Sequence, residues 1–149
     1  MKRSHRIFLD TSVIFSAVLS EIGGARKLFH LGEAGLIQLV VGLNVLRECE
    51  EVVWRKVPAS LPTLAYLLEL GLVEIASQPL DNFIEQAPAI VAYLPDAYVL
   101  AEAMGAESDW FVNHDKEHFL KIRQDARLKF QVGTPGDLIQ HLEDEFAQT

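Results

Sequence analysis

The chain has 149 residues, half of them hydrophobic, and a formal net charge of −8 at pH 7. That length and apolar content suffice for one domain (1–149) with a real core, and they exclude a disordered chain. The single cysteine, Cys49, leaves no internal bridge, and no Cys/His spacing resembles a structural zinc site; a reducing, cytoplasmic setting is expected.

The N-terminus imitates a secretion signal, because Lys2, Arg3 and Arg6 precede the apolar stretch 7–19. Asp10 interrupts that stretch, however, and no Ala-x-Ala-like site follows it. No apolar run approaches the roughly 20 residues needed to span a bilayer. A soluble, unprocessed protein without membrane contact is expected. Charge is laid out unevenly: residues 57–115 hold nine carboxylates and no Lys or Arg, while basic residues gather before and after them. An acidic cluster bordered by basic segments fits this layout, although a net negative charge runs against phosphate contacts.

In chain order, Arg6 to Leu9 is a short apolar run that predicts a buried strand ending at Asp10. Ser12 to Ser20 predicts a helix broken by Gly23-Gly24. An amphipathic helix follows from Ala25 to Glu33 and closes at Gly35. Ile37 to Val41 is the second strand, and Asn44 is placed to cap a helix running to Lys56, before Pro58. Ser60 to Leu70 is another helix, Leu72 to Ile75 a third strand, and 80–93 a weaker helical stretch containing Pro88. Asp96 to Met104 is a clear helix between Pro95 and Gly105. Trp110 to Val112 is the fourth strand, followed by a short helix near Glu117 to Ile122. Leu128 to Val132 is the fifth strand, and Thr134 caps a last helix with Pro135 at its first position. Alternating strands and helices predict an α/β fold with a parallel sheet covered on both faces. Ligands of such sheets collect beyond the carboxyl ends of the strands, where strand order reverses.

Four acids stand out, each with an ordinary alternative. Asp10 follows an apolar strand and precedes an apolar helix; it is a natural N-cap, yet a carboxylate so enclosed is costly without a compensating charge. Glu48 borders the apolar face formed by Val45, Cys49, Val52 and Val53, with Glu51 as its main competitor and an Arg47–Glu51 pair expected on the outer face. Asp96 opens a nearly apolar helix, where the helix dipole alone favours a negative charge. Asp115 ends the run Trp110 to His114, where capping the next helix is the plain alternative. Asp109 is read as structural, Glu102 as a surface residue or auxiliary acid, and Cys49 as a core thiol.

Phe8-Leu9-Asp10-Thr11-Ser12-Val13, Glu48-Cys49-x-x-Val52-Val53, Asp96-Ala97-x-Val99-Leu100-Ala101-x-Ala103 and Val112-Asn113-x-Asp115 together resemble the PIN-domain nuclease family, which includes toxin ribonucleases. The pieces occur in the family's order and span nearly the whole chain. The resemblance implies a five-stranded parallel sheet in the order 3-2-1-4-5. It also implies a catalytic and metal-holding role for Asp10, Glu48, Asp96 and Asp115, with Ser12 supporting the first acid. Asn113 departs from the family, which places Thr or Ser two residues before the last acid. An amide still donates hydrogen bonds to oxygen.

The implied activity is Mg²⁺- or Mn²⁺-dependent cleavage of RNA, with one or two ions, leaving a 5′-phosphate and a 3′-hydroxyl. A cognate antitoxin partner and a homodimer are also implied. Lys27, Arg47, Arg55, Lys56, Lys116 and Lys121 are the candidates for guiding the phosphate backbone. The alternative is a PIN-like module that binds RNA or protein without cutting. No Gly-rich phosphate loop, Walker lysine or Gly-x-Ser-x-Gly elbow is present. His114 and His118 lack a His-Glu-x-x-His pattern and are read as residues of a surface turn.

Overall fold

Ile7, Phe8 and Leu9 are fully buried, and this sets their strand, β1 (His5–Leu9), at the centre of a sheet. A strand apolar on both faces is stable only with neighbours on each side and cover above and below. A computed structural model describes residues 4–115 and 117–148, and in it β1 pairs in parallel with two strands. On one side lies β2 (Ile37–Val41), in the register His5↔Ile37 to Phe8↔Val40. On the other lies β4 (Trp110–Val112), in the register Ile7↔Trp110 to Leu9↔Val112. β3 (Glu74–Ile75) flanks β2, and β5 (Gln131–Gly133) flanks β4, giving the order 3-2-1-4-5 with every pairing parallel.

Seven α-helices connect and cover these strands: α1 (Thr11–Leu19), α2 (Gly24–Glu33), α3 (Leu43–Lys56), α4 (Leu61–Leu70), α5 (Asp81–Gln86), α6 (Leu94–Gly105) and α7 (Pro135–Ala147). Strands 1 to 3 are laid down in one direction and strands 4 and 5 in the other. With right-handed crossovers, that reversal sends the connecting helices to opposite faces. Accordingly α1 to α4 and α7 pack among themselves, and α5 pairs with α6. Helix α2 closes as its glycine suggested: Gly35 takes φ +76°, and the Leu36 amide donates to the Leu31 carbonyl at 3.0 Å. Thr134 and Asp137 cap α7 reciprocally, with Thr134 Oγ1 accepting from the Asp137 amide at 3.1 Å and Asp137 Oδ2 from the Thr134 amide at 2.9 Å.

Four elements differ from their sequence expectation. The third strand keeps only Glu74 and Ile75, because Leu72 adopts a left-handed φ of 53° that no strand residue can hold. In the 80–93 stretch, α5 stops at Gln86 and Pro88 sits in a separate 3₁₀ turn, Ala87–Ala89. The expected helix near 117–122 reduces to a turn and one 3₁₀ step, Leu120–Ile122, although the Asp115 carboxylate accepts the amides of Glu117 and His118 as a cap would. The fifth strand shifts to 131–133, where Gln131 comes level with Trp110.

Candidate active site

The reversal of strand order falls between β1 and β4, and the chain leaves both strands at the same end. The Asp10 amide extends that ladder by donating to the Val112 carbonyl at 3.1 Å. The Asp10 carboxylate, only 9 % exposed, makes no capping hydrogen bond to α1. Among the described residues its side-chain hydrogen-bond partner is Ser12, whose hydroxyl donates to Oδ2 at 2.9 Å. Burial pushes the Asp10 carboxyl up to about 6; the Ser12 hydroxyl and neighbouring amides pull it down, and the charge of Glu48 adds to the rise. Asp10 stands at the N-cap position of α1, but the weak pull of the first amides does not offset its burial.

A cavity of about 580 Å³ opens beside Asp10, and Glu48, Asp96 and Asp115 all line it. Glu48 reaches it from the exposed side of α3, whose core side carries Val45, Cys49 and Val53. Its carboxyl is raised first by burial, with the Thr11 hydroxyl opposing and the charges of Asp96 and Glu51 adding. Asp96 sits in the first turn of α6, raised by burial and by Asp115, with His118 opposing. Each acid is thus electrostatically coupled to the next, from Asp10 through Glu48 and Asp96 to Asp115. Such a row is self-repelling unless protons or cations fill it.

His118 is the residue that sequence reasoning set aside. Its Nδ1 lies 2.8 Å from Asp96 Oδ2 and 3.2 Å from Asp115 Oδ2, and only the second contact has hydrogen-bond geometry. Asp96 Oδ2 is buried without a hydrogen bond among the described residues. Asp96, Asp115 and His118 present ligand atoms within 4.8 Å of one another; Asp10 and Glu48 lie outside that group. His118 is exposed in a surface turn, as expected, but that turn faces the acids, and Tyr93 stacks on its ring at 5.9 Å. The i, i+3 spacing Asp115-x-x-His118 is the signal that was available.

Supporting contacts fix the geometry. Ser12 Oγ accepts from the His114 amide at 3.1 Å while donating to Asp10, and so ties the two strand ends together. Asn113 is fully buried; its Oδ1 accepts from the Asp115 amide at 2.9 Å, and its Nδ2 has no partner among the described residues. Glu102 is a correction, being neither surface nor open to substrate. It is 2 % exposed, and its Oε2 accepts from the Asn44 amide at 3.0 Å. Asn44 is accordingly not the cap of α3; Gly42 occupies that position, and Glu102 reaches over from α6 to satisfy the helix start. A Cβ at Gly42 would overlap the Glu102 carboxylate, so a larger residue there would displace the side chain that satisfies the helix start. Asp109 Oδ2 accepts from the Arg6 amide at 2.7 Å, a structural role. Cys49 is buried, its thiol pushed up to about 12 by desolvation.

The basic candidates divide. Lys27 lies 4.0 Å from Glu143, and Arg55 pairs with Glu51 at 3.8 Å. The expected Arg47–Glu51 pair is therefore replaced by Glu51–Arg55, the order favoured along a helix dipole. Lys56 Nζ lies 5.7 Å from the ring of Phe15, which lines the cavity. Arg47 and Lys121 are exposed, and Lys116 lies outside the described residues. No Lys or Arg lines the cavity among the described residues.

No family model matches the chain, and no curated protein matches it by sequence. Solved structures match its fold. The chain is similar to VapBC2 from Rickettsia felis, determined with a DNA fragment from their promoter, at a TM-score of 0.66 and 14 % identity over 85 % of this chain and 98 % of that one. It is also similar to PAE2754 from Pyrobaculum aerophilum, at a TM-score of 0.61 and 14 % identity over 91 % of this chain and 88 % of that one. At such identity the likeness is one of fold: the chain has a PIN-like fold, with the five-stranded parallel sheet that its sequence motifs implied.

Proposed function

We propose that this chain is a divalent-metal-dependent endoribonuclease of the PIN-domain family, with Asp10, Glu48, Asp96 and Asp115 as its catalytic and metal-holding acids. The observation that carries this reading is the row of four coupled carboxylates around one cavity at the point where strand order reverses. The donor set suits Mg²⁺ or Mn²⁺, as one or two ions, because carboxylate oxygens are hard ligands and, among the described residues, the buried Asp96 Oδ2 has no hydrogen bond and only the His118 ring beside it. His118 beside Asp96 and Asp115 adds an imidazole, which inclines that part of the site toward Mn²⁺. When bound, the ion activates water and offsets charge on the phosphoryl oxygens.

The chain's own contribution is to hold the acids in place around the cavity, with Asp10 buried at its base. Ser12 orients Asp10, Asn113 fixes the turn that carries Asp115, and Glu102 secures the helix that carries Glu48. The phosphate backbone is guided by Arg47, Lys56, Lys116 and Lys121, with Lys27 and Arg55 reaching it only if they leave their carboxylates. From the motif resemblance to the PIN family and the single cysteine, we expect a cytoplasmic toxin with a cognate antitoxin and a homodimeric state, which light scattering alone and with the partner measures.

Purified protein given single-stranded and structured RNA with Mg²⁺ or Mn²⁺ is expected to cut it. Asp10→Asn and Asp96→Asn should each lower the rate roughly 100-fold or more, and excess chelator should abolish it. Cleavage that survives either substitution, or the chelator, removes these acids from the mechanism. No cleavage of any RNA, together with no detectable metal binding, favours the non-cutting module instead.

A further inference from the structure

At the end of the sheet away from the four carboxylates, the start of β1 meets the last turns of α7. His5 Nε2 lies 3.1 and 2.9 Å from the two carboxylate oxygens of Glu145, and His141 Nε2 lies 3.1 Å from Glu145 Oε1. One ligand atom from each of the three residues falls within 4.8 Å of the others. His141 and Glu145 share a face of α7 by their i, i+4 spacing, whereas His5 comes from the far end of the chain and is brought there by the fold. Five residues of strand separate His5 from Asp10, about 17 Å at the rise of a β-strand. The two sites are distinct.

Hydrogen bonds alone would explain the group if each imidazole carried its proton on Nε2. Three features let a cation take the place of those protons. Both rings turn the same nitrogen toward one carboxylate. The separations of 2.9–3.1 Å are hydrogen-bond lengths, and a small outward shift of the ligand atoms reaches the roughly 3.3 Å expected between ligands 2.0–2.1 Å from a tetrahedral ion. The two rings meet edge to face at 5.9 Å and 75°, and Trp110 holds His141 at 5.3 Å, so the nitrogens are preset.

We propose that His5, His141 and Glu145 form a second metal site that takes Zn²⁺ or a similar transition-metal ion and pins the start of β1 to the end of α7. Two imidazoles and one carboxylate suit such ions and poorly suit Mg²⁺, which prefers oxygen ligands. All three residues are half-buried, so one side stays open for water as a fourth ligand. On binding, Glu145 supplies a carboxylate oxygen, and each neutral imidazole gives its Nε2 proton to water and takes one up at Nδ1, so that Nε2 is free to ligate and no net proton is released.

The test is histidine-ring NMR on the untagged, metal-stripped full chain titrated with ZnCl₂. His5 and His141 are expected to shift together into the Nδ1–H tautomer, while millimolar MgCl₂ leaves them unmoved. Thermal melting should show a zinc-dependent rise in Tm. His5→Gln and His141→Gln keep a side-chain donor for Glu145, so both should fold. Each should weaken zinc binding, read at the remaining ring, by more than the roughly 100-fold that is the most the loss of an outer hydrogen-bond partner typically costs a metal site. Rings unmoved by saturating zinc, shifts confined to His114 and His118, or an unchanged titration in both Gln variants would overturn the proposal.

Discussion

Asp10 carries a thermodynamic signature that can be read without any substrate. Its folded-state carboxyl titrates near 6 against an ordinary value of 3.8, chiefly because it is buried. A raised carboxyl means that the native state holds its proton over a pH range in which the unfolded chain has lost it. The stabilisation is therefore complete below about pH 4 and is lost as pH rises toward 6. At 1.36 kcal/mol per unit, the loss amounts to roughly 3 kcal/mol. Metal-free protein should accordingly lose stability between pH 4 and 6, as measured by urea unfolding. Asp10→Asn should flatten that dependence and stabilise the metal-free protein at pH 7.5. If the wild type and Asp10→Asn show the same pH profile, the Asp10 carboxyl is not strained in the fold.

Between elements, the decisive contact is the one between α6 and the first turn of α3. Glu102 Oε1 has no hydrogen bond among the described residues, and Oε2 accepts from Asn44, with the Leu43 and Val45 amides also near. A helix start leaves its first amides unpaired, and a carboxylate there is favoured by the helix dipole. Glu102 thus couples the helix bearing Asp96 to the helix bearing Glu48. Glu102→Ala should cost about 1–3 kcal/mol, the penalty of stranding buried donors. It should also lower the cleavage rate through Glu48 rather than through substrate contact. Glu102→Gln keeps an acceptor and should retain most of both. Equal damage from Ala and Gln would mean that charge, not capping, is what the position supplies.

For the whole molecule, net charge governs how RNA is met. At −8, the chain has little long-range attraction for phosphate, and two of its basic candidates already face carboxylates. With Arg47, Lys56, Lys116 and Lys121 left to meet the backbone, single-strand binding should fall with salt at a log–log slope no steeper than about −3, at roughly −0.7 per phosphate. A steeper slope in a salt titration would show that Lys27 and Arg55 exchange their partners for RNA. Among the described residues, no helix is long and apolar enough to cross a membrane.

The α/β class, the three central strands and the ends of most helices were legible in the sequence, because hydrophobic period, Gly and Pro act locally, whereas the two edge strands were misplaced. Ile37–Val41 and Trp110–Val112 appear with the limits their apolar runs predict, and Thr134-Pro135 starts α7 as its cap chemistry requires. The four acids were also legible, since each borders such an element. What the sequence could not determine rests on contacts between distant residues. Glu102 looked exposed until α3 was laid against it, and His118 looked like a turn residue until that turn closed over Asp96. His5, 140 residues from Glu145, became its partner only through the parallel sheet. The row of carboxylates at its centre is likewise tertiary: the sequence named the acids, and the reversal of strand order between β1 and β4 brought them to one cavity, where burial and mutual repulsion favour a cation.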